Sequence, residues 1–267
     1  MTRDELKRLF ETLSLRGNHL VVHAALSSFG ELDGGANAAC AALVDAVGDG
    51  GTIVMPAFTC GETLSSSPAP AGVPPRGVAY HPDLPVSPEI GIIAETFRHF
   101  PGVLRSSHPT HSFTAWGRQA REVLSTQRDN NPLGPLKKLN LMQGHTLLLG
   151  VSSREATAIH LAVERLSPLA LGRRVAVRIN AAGYDERVVL ENLPACSLAF
   201  GRLDDHLDPA KIRSTPLPHG SARKLPIRYI VQLATRLLDK DPAFFLCDSP
   251  QCPTCGPRRD ALAATHP

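Results

Sequence analysis

Apolar positions recur along the chain in two rhythms. The opening stretch "MTRDELKRLFETL" sets charges between apolar residues at three-and-four spacing, which predicts an amphipathic helix over 3–15. "NHLVVHAAL" (18–26), "TIVMPAF" (52–58) and "HTLLLGV" (145–151) are short continuous apolar runs, as expected of strands covered on both faces. Between them "ANAACAALVDAV" (36–47) predicts a helix whose small residues permit close packing, and "GDGG" makes the turn that follows it. "SPEIGIIAETFRHF" (87–100) opens with Ser87 as N-cap, Pro88 at the first helical position and Glu89 in the first turn. A short helix over 118–126 precedes the polar loop "QRDNNPLGP".

"EATAIHLAVERL" (155–166) places Ala158, Ile159, Ala162, Val163 and Leu166 on one helical stripe, with His160 and Glu164 four residues apart on one face. Residues 173–193 alternate on both sides of a Gly-bearing turn and predict an antiparallel hairpin. A helix follows over 226–239. Strand and helix alternate through the first half, which implies parallel pairing. The expected fold is α/β: a mostly parallel central sheet flanked by helices, with an antiparallel hairpin added. Residues 1–245 read as a single domain and 246–267 as a Cys-rich tail. No internal repeat is present, and the proline-rich segment 60–88 reads as a long irregular loop of the kind that forms lids or binding loops.

Composition narrows the classes. With 43% hydrophobic and 20% charged residues in 267, the chain can bury a sizeable core. A net charge of +3 without a Lys/Arg block, and 5% aromatics, argue against nucleic-acid binding. No apolar run reaches a membrane span, and the charged N-terminus lacks a signal-peptide core, so the expectation is a cytoplasmic protein with no membrane partner. The six cysteines do not form a secreted disulfide framework: Cys40, Cys60 and Cys196 are scattered, and the other three cluster near the end.

Two strand-to-helix loops carry candidate chemistry, because ligands collect at the carboxyl ends of parallel strands. The first, "HAALSSFGELDGG" (23–35), brings backbone N–H groups, two serines and three glycines to a helix start, yet matches no phosphate-binding signature. The second, "GVSSREATAIH", leads from a buried strand to His160. A carboxylate near an imidazole fixes its tautomer and raises its basicity, so His160 with Glu164 reads either as a catalytic base and its orienting acid or as a surface pair. "CDSPQCPTCGPRRD" spaces Cys247, Cys252 and Cys255 as C-x4-C-x2-C, which suits a structural zinc knuckle if Cys60, Cys196 or a histidine supplies the fourth ligand; free or redox-active thiols are the other reading. "RKLPIR" (223–228) reads as a solvated helix entry that could meet phosphates. His81, His99, His206 and His219 have no convincing spacing, and Trp116 reads as core.

Three ordered blocks resemble the aminoglycoside 3-N-acetyltransferase family: "VVHAALSSFGELDGGANAACAALVDAVGDGGTIVMPAFT", "VSPEIGIIAETFRHFPGVLRSSHPTHSFTAWG" and "NNPLGPLKKLNLMQGHTLLLGVSSREATAIHLAVE". The resemblance covers roughly residues 18 to 165, with a fainter match near 222–239. It implies a non-GNAT N-acetyltransferase with acetyl-CoA as cosubstrate and direct attack of a small-molecule amine on the thioester. Carried over, His23, Ala24, Ala25, Leu26, Ser27 and Ser28 would line the pantetheine and thioester end of CoA. Arg105, Ser106 and His108 would lie near the cofactor, and Thr157 and His160 would mark the active-site helix, with His160 as general base. The chain departs from the pattern in two places. Val163 stands where the family has a glutamate, leaving Glu164 as the nearest carboxylate, and Ala24 and Ala25 replace small polar residues. By the resemblance the acceptor would be an aminoglycoside, or else a different amine of antibiotic biosynthesis. From another class, the chain would be an inactive metal-binding interaction protein on this scaffold. A dimer is compatible with the sequence.

Overall fold

The computed structural model describes residues 1–59, 78–164, 174–194 and 196–265. Its frame is a seven-stranded sheet of order β3-β4-β2-β1-β5-β9-β8. These strands are β1 His19–Ala24, β2 Thr52–Pro56, β3 Leu104–Arg105, β4 Phe113–Gly117, β5 His145–Leu149, β8 Arg213–Leu217 and β9 Gly220–Pro226. The parallel pairing that the alternation implied sits at the centre, where β1 pairs with β2 and with β5. Antiparallel pairs flank it on both sides: β2 with β4, β4 with β3, β5 with β9 and β9 with β8. The separate hairpin is present as β6 Arg174–Ile179 and β7 Asp185–Leu190, in the register Arg174↔Leu190.

The central strands are apolar throughout because both faces are covered. Side chains alternate between two cores. Val21, Val54 and Leu148 face one layer with the helices α4 Ala120–Leu124, α5 Gly134–Leu141 and α7 Ile227–Lys240. Leu20, Val22, Ile53, Met55, Leu147 and Leu149 face the other, with α1 Arg3–Thr12, α2 Gly35–Val47 and α3 Ile92–Arg98. Thr2 and Glu5 close a capping box at the start of α1.

Three expected elements differ. The segment from Pro88 forms a 3-10 turn to Ile90; Gly91, at φ +95°, then separates it from α3, and Ser87 makes no side-chain cap. The expected helix over 155–166 is two 3-10 turns, Ser153–Glu155 and Thr157–Ile159, leading into a four-residue α6, His160–Val163; Leu166 lies outside the described residues. "RKLPIR" is mostly the end of β9, not a helix entry. Arg223 pairs with Asp204 at 2.8 Å, and buried Lys224 donates to Ser14 O at 2.8 Å, so neither cation is offered to a phosphate. The C-terminal segment carries a helix, α8 Cys255–Thr265, and its Cys247 and Cys255 are buried against Ala199. Among the described residues no helix is long and apolar enough to cross a membrane.

Candidate active site

The carboxyl ends of β1, β2 and β5 open onto one cavity of about 910 Å³. β5 is followed by Gly150, whose φ of +69° suits glycine, and a Cβ there would overlap the Ser28 side chain. That close approach lets the 3-10 turn Leu26–Phe29 lie against the end of β5. Ala25 N–H donates to Leu149 O at 3.0 Å, and the Ser28 hydroxyl donates to Ala25 O at 2.7 Å.

Beyond Gly150 the chain is anchored by Asp204, on the 3-10 helix Phe200–His206. Its carboxylate accepts the Ser153 N–H at 3.1 Å and the Ser153 hydroxyl at 2.6 Å, and pairs with Arg223. Burial alone would raise the Asp204 carboxyl, but the bonds from Arg223 and Ser153 outweigh it and hold the group below its usual range. The anchored turns then bring two side chains into the cavity. Thr157 Oγ1 lies 3.3 Å from His23 Nε2, at the end of β1. His160 follows at the start of α6, its ring edge-on to Phe200 at 4.6 Å between centroids.

A third imidazole, His111, joins them. β4 runs antiparallel to β2, so the residues entering β4 lie beside the end of β2, at the functional edge of the sheet. His111 Nδ1 is 2.8 Å from Thr110 Oγ1, and the Phe58 ring lies 4.8 Å away. Burial dominates the electrostatics of all three. It pushes His23 and His160 down to about 3 and holds His111 well below its ordinary value, where protonation would also set it against His108 and His160. The cavity therefore presents neutral imidazoles at physiological pH, with exposed Glu89 and Glu155 among the residues that line it.

Of the residues singled out from sequence, the cavity gathers His23, Ala24, Ala25, Thr157 and His160, with Cys196 and Cys252 on its wall. Leu26, Ser27 and Ser28 form the adjoining turn and are not among its lining residues. Glu164 is directed elsewhere: its carboxylate pairs with Lys137 of α5 at 2.9 Å, and among the described residues it shares no hydrogen bond with His160. A permanent cation holds a carboxylate more strongly than a buried neutral imidazole does. Arg105 is a cross-brace, its guanidinium bonded to Ser112 Oγ and to the carbonyls of Ala57, Pro82 and Leu84, and stacked 5.3 Å from the Tyr80 ring centroid. Ser106 is likewise committed, its hydroxyl oxygen accepting Phe113 N–H at 2.8 Å. His108 Nδ1 accepts the Thr110 and His111 N–H groups, so His108 shapes the turn that presents His111. Arg105, Ser106 and His108 line a separate pocket of about 510 Å³ beside Arg121, Arg128 and Arg178.

The residue missed from sequence is His111, although the "HPTHS" block already carried a second histidine three residues after His108. Of the proposed fourth cysteine ligands, Cys196 is at the cysteine cluster and Cys60 lies outside the described residues.

A family model described as aminoglycoside 3-N-acetyltransferase matches residues 21–239. The chain belongs to the aminoglycoside 3-N-acetyltransferase family. Members are N-acetyltransferases that use acetyl-CoA. Among curated relatives, aminoglycoside N(3)-acetyltransferase IV of Salmonella sp is 32% identical over 86% of this chain and 84% of its own length. The prophage-derived aminoglycoside N(3')-acetyltransferase-like protein YokD of Bacillus subtilis (strain 168) is 35% identical over 62% of this chain, and the match spans 65% of that relative. Among solved structures, the apoenzyme of aminoglycoside acetyltransferase AAC(3)-IVa aligns over 97% of this chain and 96% of its own, with TM-score 0.79 and 28% identity. The same protein, as a histidine-to-alanine mutant in complex with a gentamicin, aligns over the same shares with TM-score 0.76.

Proposed function

We propose that the chain transfers the acetyl group of acetyl-CoA to an amine of an aminoglycoside, by direct attack in the cavity that His23, His111, Thr157 and His160 share. The observation that carries this reading is His160 itself. It is a buried, neutral imidazole on a cavity open to solvent, at the carboxyl edge of the parallel strands.

The proton inventory sets its task. An ammonium has no lone pair, so the amine attacks the thioester carbon in its free-base form. As the C–N bond forms, the nitrogen becomes cationic and its N–H strongly acidic. His160 accepts that proton, the C–S bond breaks as the carbonyl re-forms, and the CoA thiolate leaves. An imidazole held neutral does not repel a polycationic acceptor as it enters. Even a weakly basic histidine suffices, because the proton it takes is acidic only in the tetrahedral intermediate. Thr157, hydrogen-bonded to His23, supplies a polar contact to the thioester carbonyl while the oxyanion develops. The exposed carboxylate of Glu89, and that of Glu155 beside its partner Arg154, supply partners for the acceptor's remaining ammonium groups. The gentamicin complex of AAC(3)-IVa supports this acceptor class, and its histidine-to-alanine substitution is compatible with a histidine at the reacting centre.

The test is thiol release from acetyl-CoA with a panel of aminoglycosides and unrelated small amines, with acetylated product followed by mass. Aminoglycoside-dependent release with product one acetyl heavier is expected. Turnover only with unrelated amines would replace the acceptor class, and the absence of any amine-dependent release would end the reading.

A further inference from the structure

The C-terminal segment and the loop before the Phe200–His206 helix meet at four thiols. The Sγ atoms of Cys196, Cys247, Cys252 and Cys255 all lie within 4.8 Å of one another. All four are free cysteines, Cys247 and Cys255 buried and the other two half-buried. A tetrahedron with zinc–sulfur bonds of about 2.3 Å has sulfur–sulfur edges of about 3.8 Å. The cluster is thus already near the size a single tetrahedral ion requires, and too tight for a cubic iron–sulfur cluster.

The backbone around the thiols is arranged as in a metal knuckle. Cys255 N–H donates to Cys252 Sγ at 3.5 Å, Cys247 N–H to Cys255 Sγ at 3.5 Å and Leu198 N–H to Cys196 Sγ at 3.4 Å. Such N–H donors stabilise thiolate ligands from outside the coordination shell. Arg259 holds the Cys247–Ser249 turn through the carbonyls of Cys247 and Ser249.

We propose that Cys196, Cys247, Cys252 and Cys255 bind one structural zinc ion in a closed four-thiolate site, and that this ion holds one wall of the cavity in place. Leu193, Pro194, Cys196 and Ser197 line the cavity from one side of the cluster, and Cys252, Pro253 and Thr254 from the other. These two stretches are far apart in sequence, and the four thiols draw them together. Arg202 adds a second tie, donating to Phe244 O at 2.9 Å and to Asp248 Oδ1 at 2.6 Å. Phe200, against which His160 rests, begins four residues after Cys196. Each bound thiolate has given up its proton, so zinc uptake releases protons and its affinity falls in acid. The wall's effect on turnover rests on the acetyltransferase reading above; the presence of the ion does not.

The experiment is elemental analysis of the full-length chain, purified without chelator, beside C196S, C252S and the control C40S, with melting temperature measured for each. The expected result is one zinc per chain in wild type and C40S, and loss of zinc from C196S and C252S. Chelation of the wild type should lower the melting temperature, and Zn2+ but not Mg2+ should restore it. Cobalt reconstitution should show the thiolate charge-transfer and strong visible bands of a tetrahedral site, a readout independent of whether the cysteine variants fold. Iron in place of zinc, disulfides found by mass under denaturing conditions, four unliganded thiols, or full zinc retention by C196S would each overturn the proposal. Zinc at full occupancy without amine-dependent turnover would overturn the catalytic reading alone.

Discussion

At the scale of single residues, the two members of the pair His160 and Glu164 part company. Their spacing puts them on one face of an ideal α-helix. The two 3-10 turns precede the pair, and from His160 to Glu164 the backbone is α-helical, so what separates them is the partner each side chain finds. His160 turns into the cavity while Glu164 reaches Lys137. Glu164→Gln is therefore expected to leave kcat unchanged and to cost less than about 1 kcal/mol of stability, since both partners are partly exposed. Steady-state kinetics and urea unfolding check this, and a large fall in kcat would restore Glu164 as the orienting acid. The same scale shows what sequence could reveal. His23, Thr157 and His160 were legible because they end strands or follow them in ordered motifs. His111 was not, because its place at the cavity depends on β4 running antiparallel beside β2. The resemblance places Arg105 and His108 near the cofactor, but the Arg105 guanidinium is bound to Ser112 Oγ and three backbone carbonyls, and His108 Nδ1 accepts the Thr110 and His111 N–H groups.

At the scale of elements, the junction after β5 is what makes the site possible. Gly150 lets the Leu26–Phe29 turn close against the strand end, and Asp204 then holds Ser153. Gly150→Ala places a Cβ in the space of Ser28 at a left-handed φ, and is expected to cost about 2 kcal/mol or more, with a matching drop in the urea midpoint. The strands and the longer helices α1, α2 and α7 could be read from periodicity, because each buries one complete stripe or both faces. The segment bearing His160 reads as one long helix because its apolar spacing fits a helical stripe, and over so few residues that spacing does not separate 3-10 turns from α-helix. Cys196 joins Cys247, Cys252 and Cys255 only through the tertiary path of the Phe200–His206 helix. Local spacing could present three thiols and no more.

At the scale of the whole molecule, the buried histidines couple stability to pH. Burial lowers His23 and His160 to about 3 and, with help from Arg178, His108 to about 4; an unfolded chain binds these protons near pH 6.5. The unfolded state thus holds more protons than the native state between those limits. Stability is complete above about pH 6.5 and falls as pH drops toward 4, by about 1.4 kcal/mol per pH unit for each such histidine once the unfolded chain is protonated. Melting temperatures measured from pH 8 to pH 5 are expected to fall steeply below pH 6.5, whereas a flat profile would show that these imidazoles are not sequestered. The two-faced sheet follows from the same burial, since seven strands with helices on both sides leave the carboxyl edge of the parallel centre as the place where polar groups converge.

The central claim is that His160 takes the proton from the attacking amine in this cavity. Its most direct test compares wild type with His160→Ala in acetyl-CoA turnover against an aminoglycoside, with circular dichroism and melting to show that the variant is folded. General-base removal predicts a fall in kcat of about 10²–10⁴-fold with CoA binding retained. Equal turnover by a folded His160→Ala chain would contradict it.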